Sequence, residues 1–311
     1  MLVALLISCI GVRGWCREER EEPIRLPENK GNLRYSITVT QFENRANWSG
    51  RWNLGQAFTE IMTDTLQQSG WFIVLGDKEM RGEAMAEQDF AASGRVAKGK
   101  KAPKIGRMTP AQLLVKGAIT HVQASTTGGS GGINIKGFRL GGSKDRAEIN
   151  VTIYLVDSET GQVKASKSVV GQSNRTGLSF GYHGSGPVTG GLSGFKKDNV
   201  GKATEHAIAQ AVQFLIAQLE DVPWEGTVML AKEDKIIINR GEREGVTIGQ
   251  RFTVGEIEEL VDEDTGEVLD IDMTEAGFIQ VTQVKEKIAY CEPLGCDFGA
   301  IKKGMTIQPA K

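Results

Sequence analysis

Leu178 to Phe195 reads Leu-Ser-Phe-Gly-Tyr-His-Gly-Ser-Gly-Pro-Val-Thr-Gly-Gly-Leu-Ser-Gly-Phe, and no other stretch restricts the possible folds as much. Leu178, Phe180 and Tyr182 alternate with Ser179, Gly181 and His183. Beyond a Gly-Ser-Gly-Pro turn, Val188, Gly190 and Leu192 alternate with Thr189, Gly191 and Ser193. Period two on both sides of a turn signal predicts a β-hairpin. One face is apolar and partly aromatic; the other is small or weakly polar. Such a ribbon either covers a core and meets water, or faces lipid on one side and a wet lumen on the other. Pro187 belongs at the tip, where no ladder donor is needed.

The rest of the chain narrows that choice. Beyond the extreme N-terminus no apolar run approaches 18 residues, so a helical span is not expected, whereas transmembrane strands leave a much weaker signal. A second hairpin is predicted where Ile133-Asn-Ile135 and Phe138-Arg-Leu140 alternate, with the parity switching at Lys136-Gly137. Both hairpins are embedded in an ordinary α/β pattern. Tyr35 to Phe42 alternates as a strand. Leu54, Phe58, Ile61, Met62 and Leu66 recur at helical spacing up to Gly70, and Trp71 to Leu75 is a short apolar strand. Lys78 to Gln88 reads as a helix with Met80, Ala84 and Met85 on one side. Thr109-Pro110 has the look of an N-cap with proline at the first helical position. Leu114 to Val122, Ile149 to Leu155 and Val163 to Val170 are strands, and Val200 to Leu219 is a helix with Ala207, Ile208, Ala211, Leu215 and Ile216 as its core stripe. From residue 225 the character changes to short strands (Thr227–Leu230, Lys235–Asn239, Arg251–Gly255, Phe278–Val281 and Ile288–Tyr290) parted by turn signals, which predicts a small all-β barrel or sandwich-like domain.

Met1 to Ile7 is apolar, and Leu6-Ile7-Ser8-Cys9 resembles a bacterial lipobox, which would make Cys9 the lipid-bearing mature N-terminus. The apolar run is short and no Lys or Arg precedes it, unlike an ordinary signal peptide. The alternative is a frayed apolar end with a free thiol. Residues 10–33, charged and carrying Pro23 and Pro27, read as a tether.

Gln41-Phe-Glu-Asn44, the following loop and helix, Gly70-Trp-Phe-Ile-Val-Leu75, Leu114-Val-Lys-Gly-Ala-Ile-Thr120 and Val156-Asp-Ser-Glu-Thr-Gly-Gln-Val163 together resemble the curli secretion channel (CsgG-like) family. The resemblance covers about residues 34–220. The tail, with Ile236-Ile-Ile-Asn-Arg-Gly-Glu-Arg-Glu-Gly-Val246 and Asp264-Thr-Gly-Glu-Val-Leu269, is similar to the C-terminal domain of the flagellar assembly protein T family. The fold class implied is α+β: a periplasmic α/β domain (34–222) with two inserted hairpins, about 125–149 and 170–199, and a C-terminal β domain (223–311). The family resemblance implies a lipid-anchored homo-oligomeric ring of about nine subunits in the bacterial outer membrane. Each subunit would give four strands to one shared barrel, since an isolated hairpin cannot close its edges in hydrocarbon. Leu178, Phe180, Tyr182, Val188 and Leu192 would face lipid. Arg139, Lys144, Asp145 and Arg146 must face the lumen or lie beyond the hydrocarbon.

In that family the loop after Phe-Glu-Asn forms the pore constriction. Here it runs from Arg45 to Asn53, and Trp48, Arg51 and Trp52 are its large side chains, with Asn47 and Asn53 as polar neighbours. A ring of aromatics would narrow a pore without binding one sequence; alternatively each tryptophan packs on its own domain. The resemblance implies secreted fibre subunits and periplasmic accessory proteins as partners.

Catalysis is poorly supported. His121, His183 and His206 lack metal-ligand spacing, and Gly128 to Gly132 lacks the Lys-Ser/Thr of a phosphate loop. Asp262, Asp264 and Asp270 read as a hairpin turn and not a calcium loop. No cofactor or metal is expected. Lys98, Lys100, Lys101 and Lys104 lack interleaved aromatics, and with a net charge of −2 no nucleic-acid partner is expected. Cys291 and Cys296 are expected to close a small structural disulfide. Two readings of function remain: an outer-membrane channel that passes unfolded protein without enzymatic activity, or a soluble lipid-anchored periplasmic scaffold for a surface appendage or flagellar apparatus.

Overall fold

The computed structural model describes residues 24–29, 33–50, 52–97, 99, 102–125, 134–135, 138–139, 146–173, 198–232, 235–266, 268–295 and 298–310. Cys9, Arg51, Cys296 and the hairpin residues Leu178, Phe180, Tyr182, Val188 and Leu192 lie outside them.

Strand β1 (Tyr35–Val39) is buried at every position. It runs parallel to β3 (Phe72–Leu75) on one side and to β4 (Leu113–Ser125) on the other. β2 (Glu43–Asn44) continues along β4 beyond β1. β7 (Arg146–Asp157) and β8 (Val163–Gln172) complete the sheet, in the order β3-β1-β4-β7-β8. Between β4 and β7, β5 (Asn134–Ile135) and β6 (Phe138–Arg139) pair antiparallel, with Ile135 opposite Phe138.

The alternation in β7 shows why the sheet has one dry face. Ala147, Ile149, Val151, Ile153 and Leu155 are all buried, and every second residue is not. Two helices cover that face. α1 (Leu54–Ser69) is closed at its start by the Asn53 side chain and at its end by Gly70 in the left-handed region at φ 70°. α3 (Asn199–Ala217) is capped by Asp198 and buries Ala207, Ile208, Ala211, Leu215 and Ile216, the stripe expected from its spacing. Residues 24–29 lie against the start of β3: the Trp71 indole donates to Pro27 O (2.7 Å) and Asn29 Nδ2 to Gly70 O (2.8 Å).

Two elements differ from what the sequence predicts. α2 (Lys78–Ala92) forms, longer than predicted, but buries no residue, and Met80 and Met85 face solvent. No helix starts at Thr109. Instead Gln112 bridges to β1, its amide donating to Ser36 O and its Oε1 accepting from Ser36 N, both at 3.0 Å. Pro110 O accepts from the Ser36 hydroxyl (3.0 Å), which fixes the chain as a lead into β4.

The C-terminal part is a closed six-stranded barrel, β10-β13-β12-β11-β14-β9, which decides between barrel and sandwich. Its strands are β9 (Gly226–Lys232), β10 (Lys235–Ile238), β11 (Arg251–Val261), β12 (Val268–Val284), β13 (Ala289–Leu294) and β14 (Thr306–Pro309). Val228, Ile236, Phe252, Val254, Ile279, Val281 and Ile307 fill it. Trp224 stacks on Phe252 with centroids 5.4 Å apart, and the Arg34 amide donates to Glu244 O (2.9 Å), which ties the barrel to the start of the sheet. β11 and β12 are far longer than the short strands expected from the sequence. Cys291 alternates inward on β13, and its thiol, free and buried, is part of the barrel core; Cys296, the other half of the expected disulfide, lies outside the described residues.

Two buried acids have a shared consequence. Tyr35 OH donates to Val222 O (2.8 Å), and burial pushes its pKa up to about 12. Burial likewise pushes the Cys291 thiol up to about 12. Both groups fold as the neutral form, so their contribution is complete below their unfolded pKa values and is lost as pH rises through the folded ones. Urea midpoints should therefore fall between about pH 9 and 12. In Tyr35→Phe the part of that fall above about pH 10 should shrink, at a cost near neutrality of about 1 kcal/mol for the lost hydrogen bond. An unchanged alkaline limb in the variant would count against this role.

Candidate functional site

The loop from Arg45 to Asn53 is positioned by what precedes it. Phe42 is buried against Phe58 with centroids 4.5 Å apart. Its amide donates to Thr59 Oγ1 (3.0 Å), and that hydroxyl donates to Gly55 O (2.8 Å). Two glycines make this possible. A Cβ at Gly55 would collide with the Phe42 carbonyl oxygen, and one at Gly117 with the Phe42 ring and Thr152 O. With Phe42 locked, Glu43 and Asn44 pair with Ala118 and Ile119 of β4, and the Arg45 amide donates to Ile119 O (2.9 Å).

The loop then turns back on itself. Asn47 has φ 53°, the left-handed region that asparagine tolerates better than other side chains. Asn44 Nδ2 donates to Trp48 O (3.0 Å), and the Trp48 ring lies over Gly50, where a Cβ would clash with it. Trp48 and Trp52 are both half-buried and packed against the core of their own domain. The Trp48 Nε1 is out of contact with solvent and has no hydrogen-bond partner. Both tryptophans thus pack in part on their own domain and brace the loop. Among the described loop residues the exposed side chains are those of Arg45, Asn47, Ser49 and Asn53. Asn53 is engaged at the helix start, where its Oδ1 accepts from the Gln56 amide (3.3 Å).

At the loop's base Arg45 contacts Glu43 at 2.7 Å, and Lys116 lies 3.9 Å from the same carboxylate. The hydrogen bond from Arg45, and then its charge, hold the Glu43 carboxyl below its usual range. Sequence reading gave Glu43 and Arg45 no role. The signal was the position of Glu43 beside an aromatic anchor, on a strand too short to show periodicity.

The two predicted hairpins leave the sheet at a common end. Ser125 of β4 pairs with Arg146 of β7, so the insert 126–145 starts and finishes on neighbouring strands. Glu148 pairs with Gln172 of β8, and Ser173 exchanges two hydrogen bonds with Ala147, each 2.9 Å, so the insert 174–197 starts beside the first. At its return, α3 is held close to β8. Gly171 lies against the Ala203 carbonyl, and the Gln172 amide donates to His206 Nδ1 (3.1 Å). β2 runs parallel to β4, so the 45–53 loop sits on the side of β4 that leads towards the same end. From Ile119, beside the loop, to Ser125 is about 20 Å of strand.

A family model, that of the curli production assembly/transport component CsgG, matches residues 24–240, most of the chain and all of the sheet with both inserts. The chain belongs to the CsgG family. This CsgG-family chain is also similar in fold to several solved structures. One is the hypothetical protein CT253 from Chlamydia trachomatis (14% identity, 59% of this chain and 96% of that one, TM-score 0.35). Another is a PelC dodecamer from Paraburkholderia phytofirmans (16% identity, 60% and 90%, TM-score 0.30). A third is the lipoprotein GNA1162 from Neisseria meningitidis (16% identity, 60% and 99%, TM-score 0.26). No curated protein matches the chain.

Proposed function

We propose that this CsgG-family chain is a lipid-anchored subunit of an outer-membrane secretion channel. Copies assemble as a ring, each adds two hairpins to one transmembrane barrel, and unfolded protein such as a fibre subunit passes by diffusion. The observation that supports this most is the common exit of the two inserts. Their strands start side by side on β4, β7 and β8, so three of the four insert arms join the sheet already adjacent, and the fourth returns into α3. Lipid on Cys9 would hold the subunit to the same membrane.

In this reading the 45–53 loop narrows the ring below the barrel. Its pore-facing chemistry is polar: the Asn47 amide, the Ser49 hydroxyl and the Arg45–Glu43 pair, with Trp48 and Trp52 as buttresses. Polar, nearly charge-balanced groups offer a passing chain brief hydrogen bonds and no apolar grip. That suits transit without sequence recognition.

Detergent extraction followed by single-particle imaging and planar-bilayer conductance tests the proposal. Rings that conduct are expected. A water-soluble protein without conductance would refute the channel and leave the periplasmic scaffold. Orientation of the second hairpin has its own test. Phe180→Arg should block membrane insertion, because arginine at the bilayer midplane costs about 2–4 kcal/mol on the lipid face of each subunit. Ser179→Arg should insert and mainly lower conductance. Equal effects at the two positions would rule out the assigned faces.

A further inference from the structure

Beyond Gly255, β11 loses its partner β14, and on the other side β13 pairs with β12 only from Phe278 onward. Residues 256–261 and 268–274 therefore pair only with each other, as a two-stranded ribbon projecting from the barrel. Its composition is extreme. From Phe252 to Val284 there are ten acidic residues and not one basic residue, in a chain whose net charge is only −2. Glu258 lies directly opposite Asp272, and Leu260 opposite Asp270, so with Glu256 one face carries four carboxylates. Like charges directly opposed destabilise a ladder. Among the described residues no ion pair relieves Glu256, Glu258, Asp270 or Asp272. The ribbon also exposes Leu260, Val261, Val268, Leu269 and Ile271, the last at 57%. An isolated two-stranded ribbon is marginal in water. One that adds facing carboxylates and bare aliphatic side chains is a surface built to be covered.

The same chain carries the complement. Between Phe90 and Val115 there are six basic residues and no acidic one. Of these, Arg95, Lys104 and Arg107 are described and exposed, and Ile105 beside them is 64% exposed. Among the described residues none of the three is in an ion pair. A basic loop with an aliphatic side chain matches an acidic ribbon with aliphatic side chains, in both charge sign and apolar content. We propose that the acidic ribbon of one subunit docks on the basic loop around Arg95, Lys104 and Arg107 of a second copy. The inference rests on the proposed assembly of this chain and names the contact that sets which subunit lies beside which. Opposed surface charges of this kind steer encounter and fix register, and they weaken with salt.

The test uses the full-length, detergent-extracted protein and two charge-reversed variants. The first carries Glu256→Lys, Glu258→Lys, Asp270→Lys and Asp272→Lys. The second carries Arg95→Glu, Lys104→Glu and Arg107→Glu. All seven positions are exposed, and circular dichroism checks that both variants fold. Association is followed by sedimentation on dilution at low and high salt. Each variant alone should associate roughly tenfold or more weakly than the unmodified chain, because like charges now meet. An equimolar mixture should recover association, since each reversed surface then finds its opposite on the other variant and none within its own chain. Unmodified chain that stays monomeric at every salt concentration would overturn the assembly reading and this contact with it. Assembly that neither variant disturbs would overturn the contact alone. Variants that weaken association but do not rescue one another would show that the ribbon's partner is not a second copy.

Discussion

Phe42→Ala should cost about 3–5 kcal/mol, the range for removing a buried aromatic side chain, and should be the most damaging single truncation near the candidate constriction. The ring touches Phe58 and fills the space over Gly117, and the backbone at Phe42 is bonded to Thr59. Smaller residues at 55 and 117 are what let it sit there, so no neighbour can move in to close the cavity. Glu43 and Asn44 would then lose the anchor that holds them in register on β4, and the Arg45–Asn53 loop would lose its fixed base. Chemical denaturation should show the lower midpoint. Single-channel recording of any assembled protein should show broader conductance states. A change below about 1 kcal/mol would mean that the Phe42 ring is not the anchor described here.

Gly171→Val should also be damaging, for a different reason. A Cβ at this position meets the Ala203 carbonyl and lies 2.9 Å from the Ala207 Cβ. The obstacle is helix backbone, which cannot rotate aside, so α3 must move off β8. Overpacking of this kind costs about 1–3 kcal/mol and occasionally more. The displacement falls next to the Gln172–His206 hydrogen bond, where the second insert leaves the sheet. Lower stability should therefore come with impaired membrane insertion. Normal insertion with a normal denaturation midpoint would show that β8 and α3 tolerate separation.

These glycine contacts were not legible in the sequence, whereas the elements they join mostly were. α1 follows its apolar spacing to the residue, because Asn53 and Gly70 close it with their own side chain and backbone. The buried stripe of α3 and the alternation of β7 were equally readable, since each packs one face on one core. Thr109-Pro110 misled because its helix-start signal is local, while Ser36 and Gln112 fasten the segment across 76 residues of chain. The ribbon of β11 and β12 was missed because glutamate and aspartate are depleted in strands. Asp270-Ile-Asp-Met273 does alternate, but its apolar positions cover no core of their own. At the loop, sequence could say that Trp48 and Trp52 were large. Only the fold shows that they face inward, leaving Asn47 and Ser49 outside.

The hold of Trp71 on Pro27 also sets a mechanical limit. Trp71 precedes β3, whose first residue is level with Tyr35, so this clamp lies at the end of the sheet away from the exit of the inserts. With lipid on Cys9, as proposed, the chain from there to Pro27 is a leash of at most about 60 Å. The length of β4 alone consumes about 40 Å of it on the way back to the bilayer. Only some 20 Å of slack is left. Such a leash is just long enough for a subunit to stand with its hairpin end towards the membrane, and it limits how far the clamped end can lie from the bilayer.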